Sequence, residues 1–216
     1  MSSAVDIVNL ALSHLGQNAD VIDINPPDGS AEAQHAARFY PMARNELLEM
    51  HPWTFAIRRT VLAPVAGVNR PSWQYAYAMP SGCIRPLSLL RAEALDDDLS
   101  EDHIVEGSDA GARVIFANTP DAALRYISLV EDTTKFTPGF VAALSRLLAA
   151  KLAGPIIKGV EGARVAEAMM KMFLLELANA KMSDSNSGSR RVSDFVPAGI
   201  RARGYRIGRG TSAGFR

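Results

Sequence analysis

The sequence predicts an α+β fold that is mainly α: a four-helix bundle, an antiparallel β insertion between the second and third helices, and an extended C-terminal arm. Three observations indicate this. Apolar residues recur at helical spacing on both sides of a central region, short β-rich runs broken by Pro, Gly and Asn fill that region, and the last part shows no apolar periodicity. The predicted parts are 1–52 (first helical part), 53–136 (β insertion), 137–183 (second helical part) and 184–216 (arm).

The first two helices begin with residues that favour helix starts. Ser2 or Ser3 is expected to cap the first helix, which ends at Gly16, and Ser30 is expected to cap the second. Pro41 lies inside the second helix and is expected to kink it, because proline lacks a backbone donor and clashes with the preceding turn. The residues expected to be buried are Val5, Val8, Leu12 and Leu15 in the first helix and Ala33, Ala36, Ala37, Tyr40, Leu47 and Met50 in the second.

Six short runs between the helices are predicted to be strands of an antiparallel sheet. They cover 59–62, 73–79, 85–91, 103–106, 113–117 and 123–130. Both tryptophans and several other aromatic residues lie in or beside these runs: Trp53, Phe55, Trp73, Tyr75 and Tyr77. We expect this aromatic cluster to form the core of the sheet, and the alternative is a surface on which nucleic-acid bases stack.

The helical pattern returns after the strands. Thr137 is expected to cap a third helix with Pro138 at its first position, and Gly154-Pro155 is expected to interrupt it. A fourth helix is expected from about Glu161 to Lys181. The residues expected to be buried are Val141, Leu144, Leu147, Leu148 and Leu152 in the third helix and Val165, Met169, Met172, Phe173 and Leu177 in the fourth.

Charge and composition narrow the function classes. The chain is neutral, and residues 184–216 hold seven arginines and two aspartates, so the arm carries +5 and residues 1–183 carry −5. Because the folded surface of a general nucleic-acid-binding protein is usually basic, a charge of −5 on residues 1–183 argues against that class. The single cysteine, Cys83, is expected to be a small buried residue, and no disulfide within the chain is possible. No signal peptide and no unbroken apolar run near bilayer length is present, so no membrane partner is expected.

Enzyme motifs are not found in the sequence. The four histidines are scattered, and no phosphate loop, GxGxxG or GxSxG motif occurs. We therefore expect no enzymatic activity, no cofactor and no metal. The acidic run Glu93–Asp102 lacks the glycine and terminal glutamate of a calcium loop. It is expected to be a solvated loop, and the alternative is an acidic wall that keeps DNA from sticking in a channel.

The arm combines arginines with apolar residues. A segment of this composition cannot bury enough apolar surface to offset the chain entropy that it loses on folding, so the arm is not expected to fold alone. Three readings stay open: the arm docks in a groove of a partner protein, it binds nucleic-acid phosphates, or it is a plain tail. Docking is favoured because arginine and aromatic side chains are the usual anchors of interfaces. The residues expected to make the contact are Arg190, Arg191, Phe195, Arg201, Arg203, Tyr205 and Arg206.

Three segments carry a family resemblance. AVDIVNLALSHLGQ (Ala4 to Gln17) and AEAQHAARFYPMARNELLEMHPWTFAIRR (Ala31 to Arg59) resemble the head-to-tail adaptors of short-tailed bacteriophages, also called tail tubular protein A. The run YAYAMPSGCIRPLSL (Tyr75 to Leu89) looks like the tyrosine-rich strand and following turn of these proteins. The N-terminal segments are the more specific, and the remainder of the chain matches in pattern.

The resemblance implies a structural role in the virion. Members of this family form a ring, commonly of twelve copies, between the portal protein and the tail nozzle protein. Double-stranded DNA passes through the ring without sequence-specific contacts. The C-terminal segment of related adaptors grips the portal, so the seven arm residues are expected to do so here. The protein would be made in the host cytoplasm and located at the portal vertex. A nucleic-acid-binding module and, less favoured, a cell-wall hydrolase are the rival functions.

Overall fold

Four helices and six strands make up the described part of the chain. The structure, a computed structural model, describes residues 2–67, 70–92, 100–107 and 111–187. The elements are α1 (Ala4–His14), α2 (Ala31–Met50), β1 (Ile57–Val61), β2 (Tyr75–Ala78), β3 (Cys83–Arg91), β4 (His103–Gly107), β5 (Arg113–Ala117), β6 (Ala122–Ser128), a 3₁₀ turn (Thr133–Lys135), α3 (Pro138–Ile157) and α4 (Gly159–Ser187). The predicted mixture of helix and sheet is confirmed, with all these strands between α2 and α3.

The predicted helix starts are confirmed by their hydrogen bonds. The hydroxyl of Ser3 accepts from the Asp6 amide at 3.0 Å, and the Asp6 carboxylate accepts from the Ser3 amide at 2.7 Å, which completes a capping box. The hydroxyls of Ser30 and Thr137 accept from the amides of Ala33 and Phe140 and so cap α2 and α3. Local sequence therefore determines where these three helices begin.

Helix α3 lies at the centre of the helical part and packs against α1, α2 and α4. Its most apolar window has a mean hydropathy of 1.6. By length and composition alone, this helix of 20 residues could cross a membrane. More than half of that window, 56%, is buried inside the protein. The three helices around it account for its apolar character, as in the core helix of a globular domain.

Helices α3 and α4 form a close hairpin, and small residues bring the two backbones together. A Cβ added at Gly139 would lie 3.1 Å from the Cβ of Ala180. At the other end of the pair, a Cβ added at Gly162 would lie 3.1 Å from the carbonyl oxygen of Ala153. Both distances are shorter than ordinary contacts, so glycine at these positions permits the approach of the two helices.

The break between these helices differs from the prediction. Helix α3 continues through Gly154-Pro155 to Ile157, because proline there removes only one hydrogen bond in a helix that ends within a turn. The chain reverses at Lys158 and Gly159, which both have positive φ angles, 61° and 62°. Gly154-Pro155, which was expected to interrupt α3, is therefore helical, and α4 begins two residues earlier than expected.

The strands form two three-stranded antiparallel sheets, where one antiparallel sheet was predicted. Their orders are β1-β6-β3 and β2-β5-β4. Along β6, Leu124 and Tyr126 belong to a core shared with Tyr77 and Ile115 of the second sheet, whereas Ile127 belongs to the helical core. The first sheet therefore lies between the helices and the second sheet.

The predicted aromatic cluster divides between separate cores. Trp53 and Phe55 pack in the helical core, and the Trp53 ring meets the Phe140 ring edge-on at 5.0 Å. Tyr77 lies between the sheets, and its hydroxyl donates to the carbonyl of Thr119 at 2.7 Å. Trp73 packs against a third, smaller cluster. The prediction that Trp53 and Tyr77 are core residues is confirmed. The prediction that the aromatic residues share one core within the sheet is wrong, because Trp53 precedes β1 and packs toward the helices.

Further predictions of burial were wrong or only partly right. Met50, Met172 and Tyr75 are 37%, 40% and 37% exposed although all three were expected to face inward. Met50 and Met172 each lie at the edge of their helix's apolar stripe, and Tyr75 lies on the exposed side of β2. Cys83 is half-buried, and burial raises the pKa of its thiol.

Candidate interface at the C-terminal end of helix α4

The residues predicted to bind the portal lie outside the described residues. These are Arg190, Arg191, Phe195, Arg201, Arg203, Tyr205 and Arg206, and residues 93–99 of the acidic run lie outside them as well. The structure does describe the place where the C-terminal segment, defined here as residues 188–216, begins. Helix α4 continues to Ser187, so the expected boundary after residue 183 lies four residues too early.

Asp184 was assigned to the arm, yet it is one of the buried polar residues of the body, with 5% of its surface exposed. Its carboxylate accepts from the hydroxyl of Thr54 at 2.8 Å and from the Thr54 amide at 3.2 Å. The Nε2 of His51 lies 3.1 Å from the other carboxylate oxygen. An ionised carboxylate only accepts hydrogen bonds, so His51 donates from Nε2. These donors offset the cost of burying the charge.

The chain around His51 explains why these donors converge. His51 has an extended backbone, which is the conformation that the following Pro52 favours, and it ends α2. Trp53 is fully buried, and its indole N–H donates to the carbonyl of Leu47 at 2.8 Å. The imidazole of His51 meets the Trp53 ring edge-on at 4.8 Å. This turn is therefore held from inside the core, and Asp184 binds to a fixed surface.

The electrostatics of the cluster favour a neutral imidazole. Burial of the ring lowers the pKa of His51, while the hydrogen bond to Asp184 opposes that shift. The positive charges of Lys181 and Arg85 lower the pKa further. At neutral pH the cluster is a carboxylate held by neutral donors with two cations nearby. We call Asp184, His51 and Thr54 the anchor cluster.

A second histidine also links two helices. The Nε2 of His14 in α1 lies 3.2 Å from the hydroxyl of Ser145 in α3. Ser145 has no exposed surface, and its hydroxyl donates to the carbonyl of Ala142 at 2.8 Å. Because the serine proton is donated to the backbone, the serine oxygen accepts the hydrogen bond from Nε2 of His14. The pair therefore joins α1 to α3.

No group of three or more metal-ligating side chains comes together within the described ranges 2–67, 70–92, 100–107 and 111–187. The described part of the acidic run includes Glu101, which pairs with Arg91 at 2.8 Å between Nε and Oε1. That exposed ion pair is ordinary surface structure.

The outward face of α4 has two unlike halves. In the first half, Arg164 pairs with Glu161 at 3.1 Å and Lys171 pairs with Glu167 at 2.7 Å. In the second half this face carries large exposed apolar residues, with the exposed Ser185 beyond them. Leu174, Leu175 and Met182 are 57%, 62% and 62% exposed, and Ala178 is exposed between them. We call Leu174, Leu175, Ala178 and Met182 the apolar ridge.

Sequence reasoning missed both the anchor cluster and the apolar ridge. Asp184 stands in a run of Ser, Asn and Gly that is typical of a linker, and its partners lie about 130 residues away in sequence, so no local signal shows its burial. The ridge did have a signal. With Phe173 and Leu177 inward, helical spacing places Leu174 and Leu175 outside the buried stripe.

No protein-family model matches the chain, and no curated protein sequence matches it. A fixed helix end, an exposed apolar surface beside it and an arginine-rich continuation are features suited to binding other proteins.

Proposed function

We propose that this protein is a structural head-tail adaptor of a short-tailed bacteriophage, without enzymatic activity. About twelve copies would form a ring between the portal and the tail nozzle, extend the DNA channel, and help to retain and later eject the genome. In this proposal the helices form a four-helix bundle that serves as the wall of the ring. The six strands are an insertion from one end of that bundle, and residues 188–216 grip the portal.

The observation that carries the proposal is the fixed starting point of the C-terminal segment. The anchor cluster pins the last turn of α4 to the turn that follows α2. Residues 188–216 begin directly after that turn. A chain of this length can reach at most about 100 Å from a fixed point. The fixed helix end therefore sets the position from which this segment would reach a groove on a neighbouring protein.

The composition of the segment suits a protein groove better than a solvent-exposed tail. Residues 188–216 contain seven arginines and one aspartate, with Phe195, Tyr205 and Phe215 among them. From this composition we expect the segment to order only when a partner supplies a surface, which keeps each single contact weak. In a ring the copies act together through their effective concentration, so weak contacts become a stable joint.

The test is capture of the purified chain by its cognate portal. The full-length chain is compared with a chain that ends at Ser187, which keeps α4 and the anchor cluster intact. We expect the full-length chain to bind and the shortened chain to lose binding, with the same helical circular dichroism. Unchanged binding would move the docking surface to the body, and failure of both chains would contradict the proposal.

A salt series separates portal docking from binding to nucleic acid. If the arginines bind DNA phosphates instead, the full-length chain alone should bind duplex DNA with an affinity that falls by orders of magnitude between about 50 and 200 mM salt. We expect weak DNA binding at both salt concentrations and portal capture that persists at the higher one.

A further inference from the structure

We infer that the apolar ridge of one copy seats in an apolar groove at the start of α3 in a neighbouring copy, so that the chain carries both halves of a head-to-tail contact. This inference rests on the proposed ring and assigns its subunit interface to particular residues. The ridge consists of Leu174, Leu175, Ala178 and Met182 of α4. The groove lies between the start of α1, the 3₁₀ turn and the start of α3.

The ridge has the properties of a covered surface. Helix α4 makes its extensive packing contacts with α3, through Phe173, Leu177 and Ala180 on its inner face. The outer face needs no apolar residues to hold the hairpin. Its first half carries two ion pairs together with the exposed Val160, whereas its second half presents Leu174, Leu175 and Met182 to solvent. Large adjacent apolar side chains on an outer face mark an interaction site.

The groove matches the ridge in chemistry. It is open, has a volume of about 360 Å³, and is uncharged: its lining residues are Ser2, Leu10, Thr133, Thr134, Phe136, Pro138, Val141 and Ala142. Leu10 is 39% exposed at its edge although it belongs to α1, whose other large apolar residues are more buried. A charged partner would lose hydration in such a groove without finding a counter-charge. An uncharged ridge of leucine and methionine fits it without that cost.

The two surfaces do not meet within one chain, which decides the type of contact. The ridge lies on the face of α4 opposite the inner face that packs on α3 through Phe173, Leu177 and Ala180. The groove is formed by α1, the 3₁₀ turn and the start of α3, with Val141 and Ala142 among its lining residues. The ridge therefore points away from α3 and cannot enter the groove of its own chain. A contact between unlike surfaces of identical chains is heterologous and generates a ring when the rotation closes.

Cysteine cross-linking of the full-length chain tests this pairing without the portal. In a Cys83→Ala background, one preparation carries Leu175→Cys and the other carries Leu10→Cys. A short bis-maleimide is added to each alone and to their mixture at high protein concentration. We expect a cross-linked dimer in the mixture and at most a trace in either preparation alone. A chain that carries both cysteines should give a ladder of dimers, trimers and larger species.

Matched charge variants provide a second experiment. Leu175→Glu places a charge on the ridge, and Ala168→Glu places one on the exposed charged half of the same helix. In sedimentation experiments we expect Leu175→Glu to weaken self-association by more than about tenfold, and Ala168→Glu to leave it unchanged. Circular dichroism of both variants reports whether α4 remains folded.

Several results would overturn the inference. Cross-linking of the Leu175→Cys preparation to itself would show that ridge pairs with ridge. No cross-link in the mixture, or equal effects of Leu175→Glu and Ala168→Glu, would show that the ridge does not hold copies together. Because the portal takes no part, these results leave the portal-capture experiment as an independent test of the adaptor function.

Discussion

Helices α3 and α4 pack against each other along the same hairpin, yet they serve different purposes. Helix α3 has helices α1, α2 and α4 around it and contributes many of the residues of the helical core. Helix α4 is longer, with 29 residues against 20, and buries one face. The difference between them is one of packing: α3 and the inner face of α4 are buried against other elements, whereas the outer face of α4 is exposed.

The largest expected effect is a loss of stability when a core residue of α3 is truncated. Phe140 in α3 is fully buried among Trp53, Phe55 and Phe136. We expect Phe140→Ala to lower the free energy of unfolding by about 3–5 kcal/mol, because it removes a large side chain and leaves a cavity. Leu175→Ala on the ridge should change it by less than about 0.5 kcal/mol. Denaturant unfolding at low protein concentration measures both, and similar losses would contradict the division between the helices.

The next effect concerns the anchor cluster. Asp184→Ala leaves the amide and hydroxyl of Thr54 without their acceptor, and we expect it to lower the free energy of unfolding by about 1–3 kcal/mol. Ser185→Ala, at an exposed neighbouring position, is the control and should have little effect. Hydrogen exchange of the last turn of α4 gives a second measurement. Protection there that survives Asp184→Ala would mean that the carboxylate does not hold the helix end.

Two glycines near the α3–α4 turn allow the stability effect of a packed position to be compared with that of an open one. A Cβ at Gly162 would meet the backbone of α3, whereas a Cβ at Gly154 would meet nothing within 4 Å. Both changes to alanine gain helix propensity, so their difference reports the contact. We expect Gly162→Ala to be less stable than Gly154→Ala by about 1–3 kcal/mol. Equal thermal stability of the two variants would show that the hairpin is looser than described.

The smallest effect is a dependence of stability on pH. Burial lowers the pKa of both His51 and His14 below the ordinary value of 6.5. The unfolded chain therefore binds more protons between the folded and unfolded pKa values, so stability is full above about pH 6.5 and declines as the pH falls through that window. NMR titration should give midpoints below 6.5 for both rings. A midpoint above 6.5 for His51 would mean that the charge of Asp184 outweighs burial.

Local patterns were sufficient to predict most elements but not their assembly. Caps such as Ser30 and Thr137 and the six strands could be located because their signals lie within a few residues. The division into two sheets could not, since strand pairing depends on contacts such as Thr60 opposite Leu124 that are far apart in sequence. The α3–α4 break was placed at Pro155 because a proline signal is strong locally, whereas the left-handed turn at Lys158 has no such signal.

The candidate site shows the same limit. The arginines and aromatics of the C-terminal segment are visible in composition, so a docking role could be predicted. Asp184 could not be separated from that segment, because its burial depends on His51 and Thr54, which lie 133 and 130 residues earlier in the chain. The apolar ridge needed the structure as well: Leu174 and Leu175 lie beside inward residues, and the exposure of a helix face depends on what packs against it.

The most direct test of the adaptor proposal is electron microscopy of the cognate portal mixed with an excess of the full-length chain. We predict a closed ring of copies stacked on the portal along the same axis, with an open channel. The same mixture made with the chain that ends at Ser187 should show bare portals. Portals without an added ring in both mixtures, or scattered single copies without a common axis, would contradict the account.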